Sequence, residues 1–454
     1  MSVLEASGAV VLRPGDTAYD EVRRVHNGMI DKRPALIVRC LTTEHVAAAV
    51  RFARARSLEI SIRSCGHNVA GRAVCDGGLM IDLNLMKGAT VDPNARTAQA
   101  QPGLNWGEFN AATQRHGLAV TGGTISTTGV AGLTLGGGFG WLMGKFGFAA
   151  DNLLSAEVVT ADGAILTASV HEHPDLFWAL RGGGGNFGVV TSFTFKLYRV
   201  GPIVTGGFNF WPYKRAKEVL ALFREESAKI SDDMSLVAAL VRSPDEPHEP
   251  LAGIIACHVG PEDVATRELA AIRGFGEPVV QAIIRKPYED VNSQYDFGFP
   301  NRALNYWKSS FLKRLPDDAI SSMVADFARC PSHMSILMLE DVHGAATRVP
   351  TAATAIPHRA AGFNLLIPSV WSNPSETALN VAWTQDTFAR LNPFFAPGRY
   401  VNYLDDDEAQ RGGDPVRAAY GANYERLVEV KTAYDPENVF HLNYNIPPRK
   451  SATR

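Results

Sequence analysis

Short apolar runs alternate with amphipathic stretches over residues 1–200. The pattern predicts four strands, over residues 34–40, 58–62, 79–83 and 97–101. After the first strand, Thr42 or Thr43 can cap a helix, because apolar residues then recur with the spacing of one helical face. A second helix is predicted from about Trp106 to His116, and Gly117 is its stop signal.

A hairpin, a helix and a further strand follow. Residues 157–168 form two β-like runs around Asp162-Gly163, a dipeptide that favours tight hairpin turns. Pro174 begins a short helix through Leu180, and alternating apolar residues over 189–197 predict the next strand.

The stretch from 201 to 397 mixes the same two patterns. Helices are predicted over 213–230 and 262–272. Strands are predicted over 234–241, 251–259, 306–312, 334–339 and 363–367. Strands that alternate with helices favour an α+β layer. Polar and aromatic residues on these strands are candidates to face a ligand, although an ordinary core or surface position is as typical of each: Trp307, Lys308, Ser310, His343 and Asn364.

Near the end of the chain, residues 399–407 alternate with period two. The alternation predicts a strand with Tyr400 and Asn402 on one face and Val401 and Tyr403 on the other. Tyr403 is as typical of a core position as of a catalytic one on this pattern alone.

Composition narrows the class of protein. A chain of 454 residues predicts two or three domains, and 46% apolar with 20% charged residues is typical of a globular enzyme. The net charge of −3 argues against nucleic-acid and membrane partners, and the sequence shows neither a long apolar span nor a secretory signal. Five scattered cysteines fit a reducing, cytoplasmic setting and exclude the usual thiolate metal patterns, so we expect no metal site.

A small-residue loop after the 58–62 strand is the first candidate for chemistry. Arg63-Ser-Cys-Gly-His-Asn combines accessible backbone N–H groups with a cationic side chain, which suits a pyrophosphate. His67 lies in its middle with no acidic neighbour, and a lone histidine of this kind is more often structural than functional.

Two glycine-rich blocks change that interpretation. Residues 121–140 lack the Lys-Ser/Thr of a P-loop and the G-x-G-x-x-G spacing of a Rossmann fingerprint, and they are too apolar for a linker. We interpret them as backbone packed against a large flat ligand, where side chains would clash. Arg181-Gly-Gly-Gly-Gly-Asn-Phe-Gly-Val-Val190 is the second block.

Together these motifs resemble a known family. The 63–71 loop, the block from Gly122 to Asn152, the Val-Val-Thr-Ala-Asp-Gly hairpin, the 181–190 block and the ending 434–448 occur in the order seen in FAD-linked oxidases of the vanillyl-alcohol oxidase superfamily, berberine-bridge-enzyme-like branch. The resemblance implies an α+β fold with a two-part FAD-binding domain, residues 1–200 and 398–454. Residues 201–397 would form an inserted α+β substrate domain, an antiparallel sheet covered by helices.

The resemblance also assigns residues. His67 matches the histidine that bonds covalently to FAD, whereas Ile125 stands where many members have a second, cysteinyl link, so a single tether is predicted. Tyr403 and Tyr444 are the implied catalytic candidates, and Asn443 and Asn445 suit the pyrimidine edge of the flavin. The full set of implied cofactor contacts is Arg63, Ser64, Cys65, Gly66, His67, Asn68, Gly71, Gly122, Thr124, Thr127, Thr128, Gly129, Gly132, Gly137, Gly138, Val190, Asn443 and Asn445.

The implied function is oxidation of a CH–OH or CH–NH group of a small molecule, with proton abstraction by Tyr403, hydride transfer to flavin N5 and O2 as the acceptor. Because tyrosine is a poor base unless its phenolate is stabilised, Lys308 is a hypothetical cationic partner. Thr128 replaces the usual aliphatic residue at a position that influences oxygen reactivity, which leaves a dehydrogenase with another electron acceptor open. A flavin-holding protein without redox activity is the third alternative.

Overall fold

The computed structural model describes residues 3–405, 407 and 414–450. Its N-terminal part is built around two small sheets. The first sheet has the order β1-β2-β4-β3, and its last three strands are parallel. Its strands are β1 (Val10–Leu12), β2 (Leu36–Arg39), β3 (Ile60–Arg63) and β4 (Leu79–Asp82).

The second sheet is antiparallel, with the order β5-β6-β10-β8-β9. Its strands are β5 (Ala89–Asp92), β6 (Thr97–Ala100), β8 (Leu153–Val159), β9 (Ile165–Ser169) and β10 (Val189–Lys196). A two-stranded ribbon joins β7 (Leu118–Ala119) and β11 (Tyr198–Arg199). Gly163 has φ +80° in the β8–β9 turn, which explains the glycine of the predicted hairpin.

Short helices connect and cover these sheets. They are α1 (Val3–Ala6), α2 (Tyr19–Val22), α3 (Thr43–Arg54), α4 (Trp106–Gln114), α5 (Val130–Leu135), α6 (Met143–Phe146) and α7 (Pro174–Leu180). The Thr42 hydroxyl caps α3 by accepting from His45 N, and Asn105 and Glu108 form a capping box at the start of α4.

One large antiparallel sheet dominates residues 201–397. Its order is β15-β12-β14-β13-β18-β19-β17, with β16 also paired to β12. The strands are β12 (Ile203–Pro212), β13 (Met234–Arg242), β14 (Pro250–His258), β15 (Val280–Gln281), β16 (Ile284–Pro287), β17 (Leu304–Leu312), β18 (Leu337–Val342) and β19 (Gly362–Trp371).

Helices cover one face of this sheet, and the N-terminal part lies against the other. The helices on the covered face are α8 (Ala216–Ser227), α9 (Glu262–Glu268), α10 (Ala270–Arg273), α12 (Asp317–Phe327) and α14 (Thr377–Leu391). Two shorter helices, α11 (Tyr288–Asn292) and α13 (Ala345–Arg348), lie on the other side and pack against the N-terminal part. Leu220, Met323 and Phe388 share a core with Leu339, whereas Met338, its neighbour on β18, packs with Trp141 and Trp307 on the opposite face. The predicted helix-covered antiparallel sheet is therefore confirmed.

The end of the chain returns to the N-terminal part. Helices α15 (Pro415–Tyr420) and α16 (Tyr424–Tyr434) pack into the core of the second sheet, where Leu427 and Ile446 share a cluster with Phe193. The α+β class and the FAD-domain core built from both chain ends are confirmed, while the boundaries at 200 and 397 stay predictions. Among the described helices, none is long and apolar enough to cross a membrane.

Two local predictions were wrong. The described residues of the predicted 399–407 strand, 399–405 and 407, do not form a strand: Val401–Tyr403 is a 3-10 turn closed by Tyr403 N donating to Tyr400 O. The turn brings the rings of Tyr400 and Tyr403 together, 4.9 Å between centroids, instead of on opposite faces. The predicted helix over 262–272 is broken at Leu269 into two short pieces.

Candidate active site

A cavity lies between the 63–71 loop, the first glycine block, the 401–404 turn and the face of the large sheet that is turned toward the N-terminal part. We call the first two its floor, and the 401–404 turn together with the sheet its roof. Many of the sequence-predicted residues line it: Ser64, Cys65, Gly66, His67, Asn68, Thr124, Thr128, Gly129, Gly132, Val190, Tyr403, Asn443 and Tyr444. Others lie outside its lining: Arg63, Gly71, Gly122, Thr127, Gly137, Gly138 and Asn445.

The floor loop presents backbone donors to the cavity. Among the described groups, no acceptor bonds to the N–H groups of the segment 65–68. Arg63, by contrast, is held away from them: its Nε binds Asp82, and its Nη1 donates to the carbonyls of Val22 and Arg24. The loop's free hydrogen-bond donors are therefore backbone N–H groups, a kind of donor that suits an anion, whereas Arg63 fastens the loop to the sheet.

His67 is stacked on a second histidine that the sequence analysis did not identify. The His26 and His67 ring centroids are 4.1 Å apart, and the ring planes differ by 14°. Burial, with a smaller contribution from His26, lowers the pKa of His67 to about 3. Burial also lowers the pKa of His26 to about 4. Both imidazoles are therefore neutral at physiological pH.

The first glycine block serves two different purposes. A Cβ on Gly132 would meet no atom within 4 Å, so this glycine leaves open space at the cavity wall. A Cβ on Gly122 would come within 2.1 Å of the Trp106 ring, so this glycine is required by protein packing. Gly138 N donates to the hydroxyl of Tyr400, which also accepts from Phe139 N.

The remaining predicted contacts in the floor have other neighbours. Gly71 packs on Ile30, Gly137 packs on Ile356, and the Thr127 side chain is exposed. The end of the glycine block, residues 137–139, therefore holds Tyr400 in place. Packing within the protein explains Gly137 and Gly138 without a ligand.

A carboxyl group on the roof faces Tyr403. Glu340 lies in the middle of β18, is 3% exposed, and accepts from Asn364 Nδ2 at 2.7 Å. Its other oxygen is 3.4 Å from the Tyr403 hydroxyl, which donates to it. Burial raises the pKa of Glu340 to about 7, although the hydrogen bonds from Asn364 and Tyr403 oppose the shift. Burial and the nearby Glu340 hold the pKa of Tyr403 well above its ordinary value.

Aromatic rings enclose this carboxyl group. Tyr295, Phe299, Trp307 and Tyr403 line the same end of the cavity, and Trp307 makes edge contacts with both Phe299 and Tyr403. The Tyr295 hydroxyl is buried without a hydrogen-bond partner among the described residues, and burial holds its pKa well above the usual range. The roof can thus hold a compact substrate beside one proton acceptor.

The hypothesis that Lys308 stabilises a Tyr403 phenolate is wrong. Lys308 follows Trp307 on β17, so its side chain points to the opposite face of the sheet. There it is 1% exposed and binds Asp405, at 2.6 Å, and Asp407. Lys308 instead fastens the segment that follows Tyr403 to the roof.

Of the other strand residues predicted to face a ligand, some reach the cavity and others bond elsewhere. Asn364 reaches the site by donating to Glu340, whereas Ser310 accepts from Arg399 Nη1 and His343 contacts Asp341 and Ser231 O. Sequence reasoning missed Glu340, although an acidic residue inside the buried run Leu337-Met-Leu-Glu-Asp-Val was a signal that could have found it.

The C-terminal candidates support the turn that carries Tyr403. Tyr444 lines the cavity, but its hydroxyl donates to Leu404 O, and the Arg72 guanidinium lies over its ring at 4.9 Å. Asn443 Nδ2 donates to Gly185 O, and Asn445 Oδ1 is buried without a partner among the described groups. Tyr403 directs its hydroxyl toward the carboxyl group of Glu340, whereas Tyr444 directs its own toward the carbonyl of Leu404.

The described residues of the cavity fit an FAD molecule, because several of their polar groups have no hydrogen-bond partner within the protein. The floor offers unpaired backbone N–H groups at 65–68, an open wall at Gly132 and a buried His67 Nε2 without a partner. Unpaired buried polar groups are costly, so their clustering along one cavity points to a polar ligand. FAD would place its pyrophosphate against donors of this kind and its ring system between floor and roof.

Comparison with known proteins gives the family. The FAD binding domain family matches residues 34–169, and the berberine and berberine-like family matches residues 399–447. The (R)-6-hydroxynicotine oxidase of Paenarthrobacter nicotinovorans is 32% identical over 454 residues, which cover 97% of each chain. The chain belongs to the berberine-bridge-like FAD-linked oxidoreductases. It is therefore an FAD-linked oxidoreductase enzyme, as the sequence motifs predicted.

Solved structures of the family share the whole fold. The 6-hydroxy-D-nicotine oxidase of Arthrobacter nicotinovorans superposes with a TM-score of 0.87 at 30% identity, covering 97% of this chain and 98% of that one. A berberine-bridge-like protein of Physcomitrella patens superposes with a TM-score of 0.88 at 23% identity, covering 99% of each chain. The second likeness establishes the fold alone.

Proposed function

We propose that this family member is an oxidase that removes a hydride from a CH–OH or CH–NH carbon of a compact small molecule and uses O2 as the final acceptor. The observation that carries the proposal is the buried Glu340 carboxyl group, which faces Tyr403 across the aromatic end of the cavity. A relative from Thermothelomyces thermophilus, 28% identical over 452 residues, is a xylooligosaccharide oxidase, which supports an oxidase of a small molecule.

Glu340 is the proton acceptor in this proposal. Because its pKa is raised to about 7, it is partly ionised at neutral pH and can accept a proton from a substrate hydroxyl or amine. Tyr403 keeps its proton, since its pKa lies well above the usual range, and donates a hydrogen bond that orients the carboxylate. Tyr403, assigned as the base by resemblance, thus acts with Glu340.

The floor holds the cofactor. The N–H groups of 65–68 would receive the pyrophosphate, and His67 would form the single covalent tether, because Ile125 has no nucleophilic atom for a second bond. FAD, when bound, supplies the two-electron acceptor for the hydride. The roof orients the substrate, and its aromatic rings exclude water from the reacting carbon.

The substrate end of the cavity favours neutral or cationic molecules. The acidic Glu340 is surrounded there by Tyr295, Phe299, Trp307 and Tyr403, and rings of this kind attract cations. The proposed substrates are therefore neutral alcohols and neutral or cationic amines, and phosphorylated or carboxylated compounds are disfavoured.

The test is anaerobic reduction of the bound flavin by a panel of alcohols, sugars and amines, followed at the visible flavin band. Glu340→Gln should slow reduction by the best substrate by about 10²- to 10⁴-fold, the usual contribution of a positioned general base. Glu226→Gln removes a different buried carboxylate, on α8, and serves as the matched control.

Reoxidation decides the acceptor. Stoichiometric hydrogen peroxide after mixing with air supports the oxidase, whereas rapid dye reduction without peroxide supports the dehydrogenase that Thr128, which lines the cavity, leaves open. Colourless protein, or equal reduction rates in wild type and Glu340→Gln, would remove the basis of the proposal.

A further inference from the structure

His26 is held beside His67 by hydrogen bonds of its own backbone and of the next residue. His26 N donates to Gly66 O at 3.0 Å, and His26 O accepts from Arg302 N at 2.8 Å. The next residue, Asn27, donates to Val69 O and to Asn305 O. The histidine is therefore clamped between the floor loop and the segment that leads into the roof.

The contact between the two rings is stacking and not a hydrogen bond. Their planes differ by only 14° at a centroid distance of 4.1 Å, and imidazole N–H bonds and lone pairs lie in the ring planes. Both Nε2 atoms are buried, and neither has a hydrogen-bond partner among the described residues. His26 thus shields one face of His67 from water without accepting its proton.

Charged groups on the surrounding elements are engaged elsewhere. Arg63 at the end of β3 binds Asp82, and Arg302 binds Glu21 at the surface. Arg72 donates to Leu442 O and lies over the Tyr444 ring.

The other titratable groups near the loop do not supply a counter-charge. Burial raises the pKa of the Cys65 thiol, so this group is neutral. Glu340 and Tyr403 line the same cavity but bond to each other on the roof. His67 therefore has no acidic partner among the described residues, and its protonation would place a buried imidazolium without a counter-charge face to face with the neutral His26 ring.

We propose that His26 is a positioning residue for attachment of the cofactor, which stacks on His67 and keeps that imidazole unprotonated and correctly oriented for bond formation. The inference rests on the covalent tether proposed above. A protonated imidazole has no lone pair on nitrogen for attack on carbon, so the neutral form is the reactive one.

The reaction balances with dioxygen as the oxidant. The new C–N bond replaces one C–H bond of the 8α-methyl group and the N–H bond of His67. The two protons and two electrons released are taken up finally by O2, which gives one hydrogen peroxide. His26 is unchanged by the reaction.

The test follows acid-stable flavin after FAD is added to full-length apoprotein from riboflavin-limited cells, between about pH 5 and about pH 8, a range that spans the ordinary histidine pKa. Fluorescence of the denatured protein and its gain in mass report the bond, and quenching of free flavin fluorescence reports binding alone. The wild-type rate of bond formation should be flat across this range.

His26→Ala and His26→Asn remove the stacked ring and admit water to His67. In both variants the rate should fall about tenfold per pH unit below about 6.5, the ordinary histidine pKa. His26→Phe keeps a flat ring and should restore the wild-type profile. A role in folding alone would lower the rate equally at every pH.

Two results would overturn the inference while the tether stands: a flat profile in both His26→Ala and His26→Asn, or failure of His26→Phe to restore it. If wild-type protein forms no acid-stable flavin, the tether itself is refuted together with the inference. The binding signal ensures that a variant that cannot hold FAD is not mistaken for one that cannot form the bond.

Discussion

The floor and the roof of the cavity are built by different means. The floor consists of contiguous loops, in which backbone N–H groups and glycines meet the ligand and are fixed by backbone bonds such as Trp106 N to Thr128 O. The roof consists of single side chains from separate strands and turns, and Glu340, Trp307 and Tyr403 come together only when the sheet forms. Under the proposed function, cofactor binding is therefore distributed over many atoms, whereas substrate chemistry depends on a few.

The first prediction, with the largest expected effect, concerns His67, the floor residue whose side chain is proposed to act directly on the cofactor. His67→Ala should lose all acid-stable flavin, because His67 is the only proposed tether, yet FAD should still bind through the backbone donors. Acid precipitation of the yellow protein and the absorbance of the supernatant measure this.

The exposed His441, which contacts Glu59, gives the control variant His441→Ala, and its flavin should stay in the pellet. Colour that remains in the pellet of His67→Ala would reveal a second covalent link and contradict the role of Ile125.

A second prediction concerns the bond that ties the Tyr403 segment to the roof. Lys308→Met should destabilise the protein by about 3–5 kcal/mol, because it leaves the carboxylates of Asp405 and Asp407 without their buried cation. Urea unfolding followed by tryptophan fluorescence measures the loss. Arg267→Met breaks a pair with Asp263 that is exposed on both sides and should leave the midpoint almost unchanged. Equal midpoints for the two variants would show that the roof does not depend on this contact.

The sequence could predict the floor because its information is local. Glycine spacing, the Thr42 cap, the Gly117 stop signal and the Asp162-Gly163 turn each act within a few residues, so α3, α4 and the β8–β9 hairpin lie close to where the patterns placed them. The family motifs in these loops then indicated the cofactor.

The roof could not be predicted in the same way. The pairing of Glu340 with Asn364 depends on the register of β18 and β19. The contact of Glu340 with Tyr403 depends on a 3-10 turn, for which the period-two alternation of the sequence wrongly predicted a strand. Helices α12 and α14 were not predicted at all, although their apolar faces complete the core behind the sheet. Long-range pairing, which no local pattern records, decides this half of the site.

The third prediction distinguishes the roles of Glu340 and Tyr403 by the pH dependence of flavin reduction. Flavin reduction should rise about tenfold per pH unit below about pH 7 and then level off, because Glu340 must lose its proton before it can accept one, and its pKa is about 7. Glu340→Gln should remove this dependence.

Tyr403→Phe should retain the dependence and move it to higher pH, since the hydrogen bond from Tyr403 lowers the pKa of Glu340. Stopped-flow reduction of all three proteins with one substrate measures the profiles. A Tyr403→Phe profile without any pH dependence would return the basic role to the tyrosine.

The smallest expected effect returns to the floor and tests its tolerance. Asn105→Ala removes the cap of α4, and we expect a loss of about 1 kcal/mol in the free energy of unfolding, the usual value for such a cap. Trp106 N and Gly107 N still bond to Thr128 O and Ser126 O, so the glycine block should keep its shape and its FAD. Urea unfolding measures the first effect and flavin retention on gel filtration the second. Loss of FAD from Asn105→Ala would mean that the floor, like the roof, depends on individual side chains.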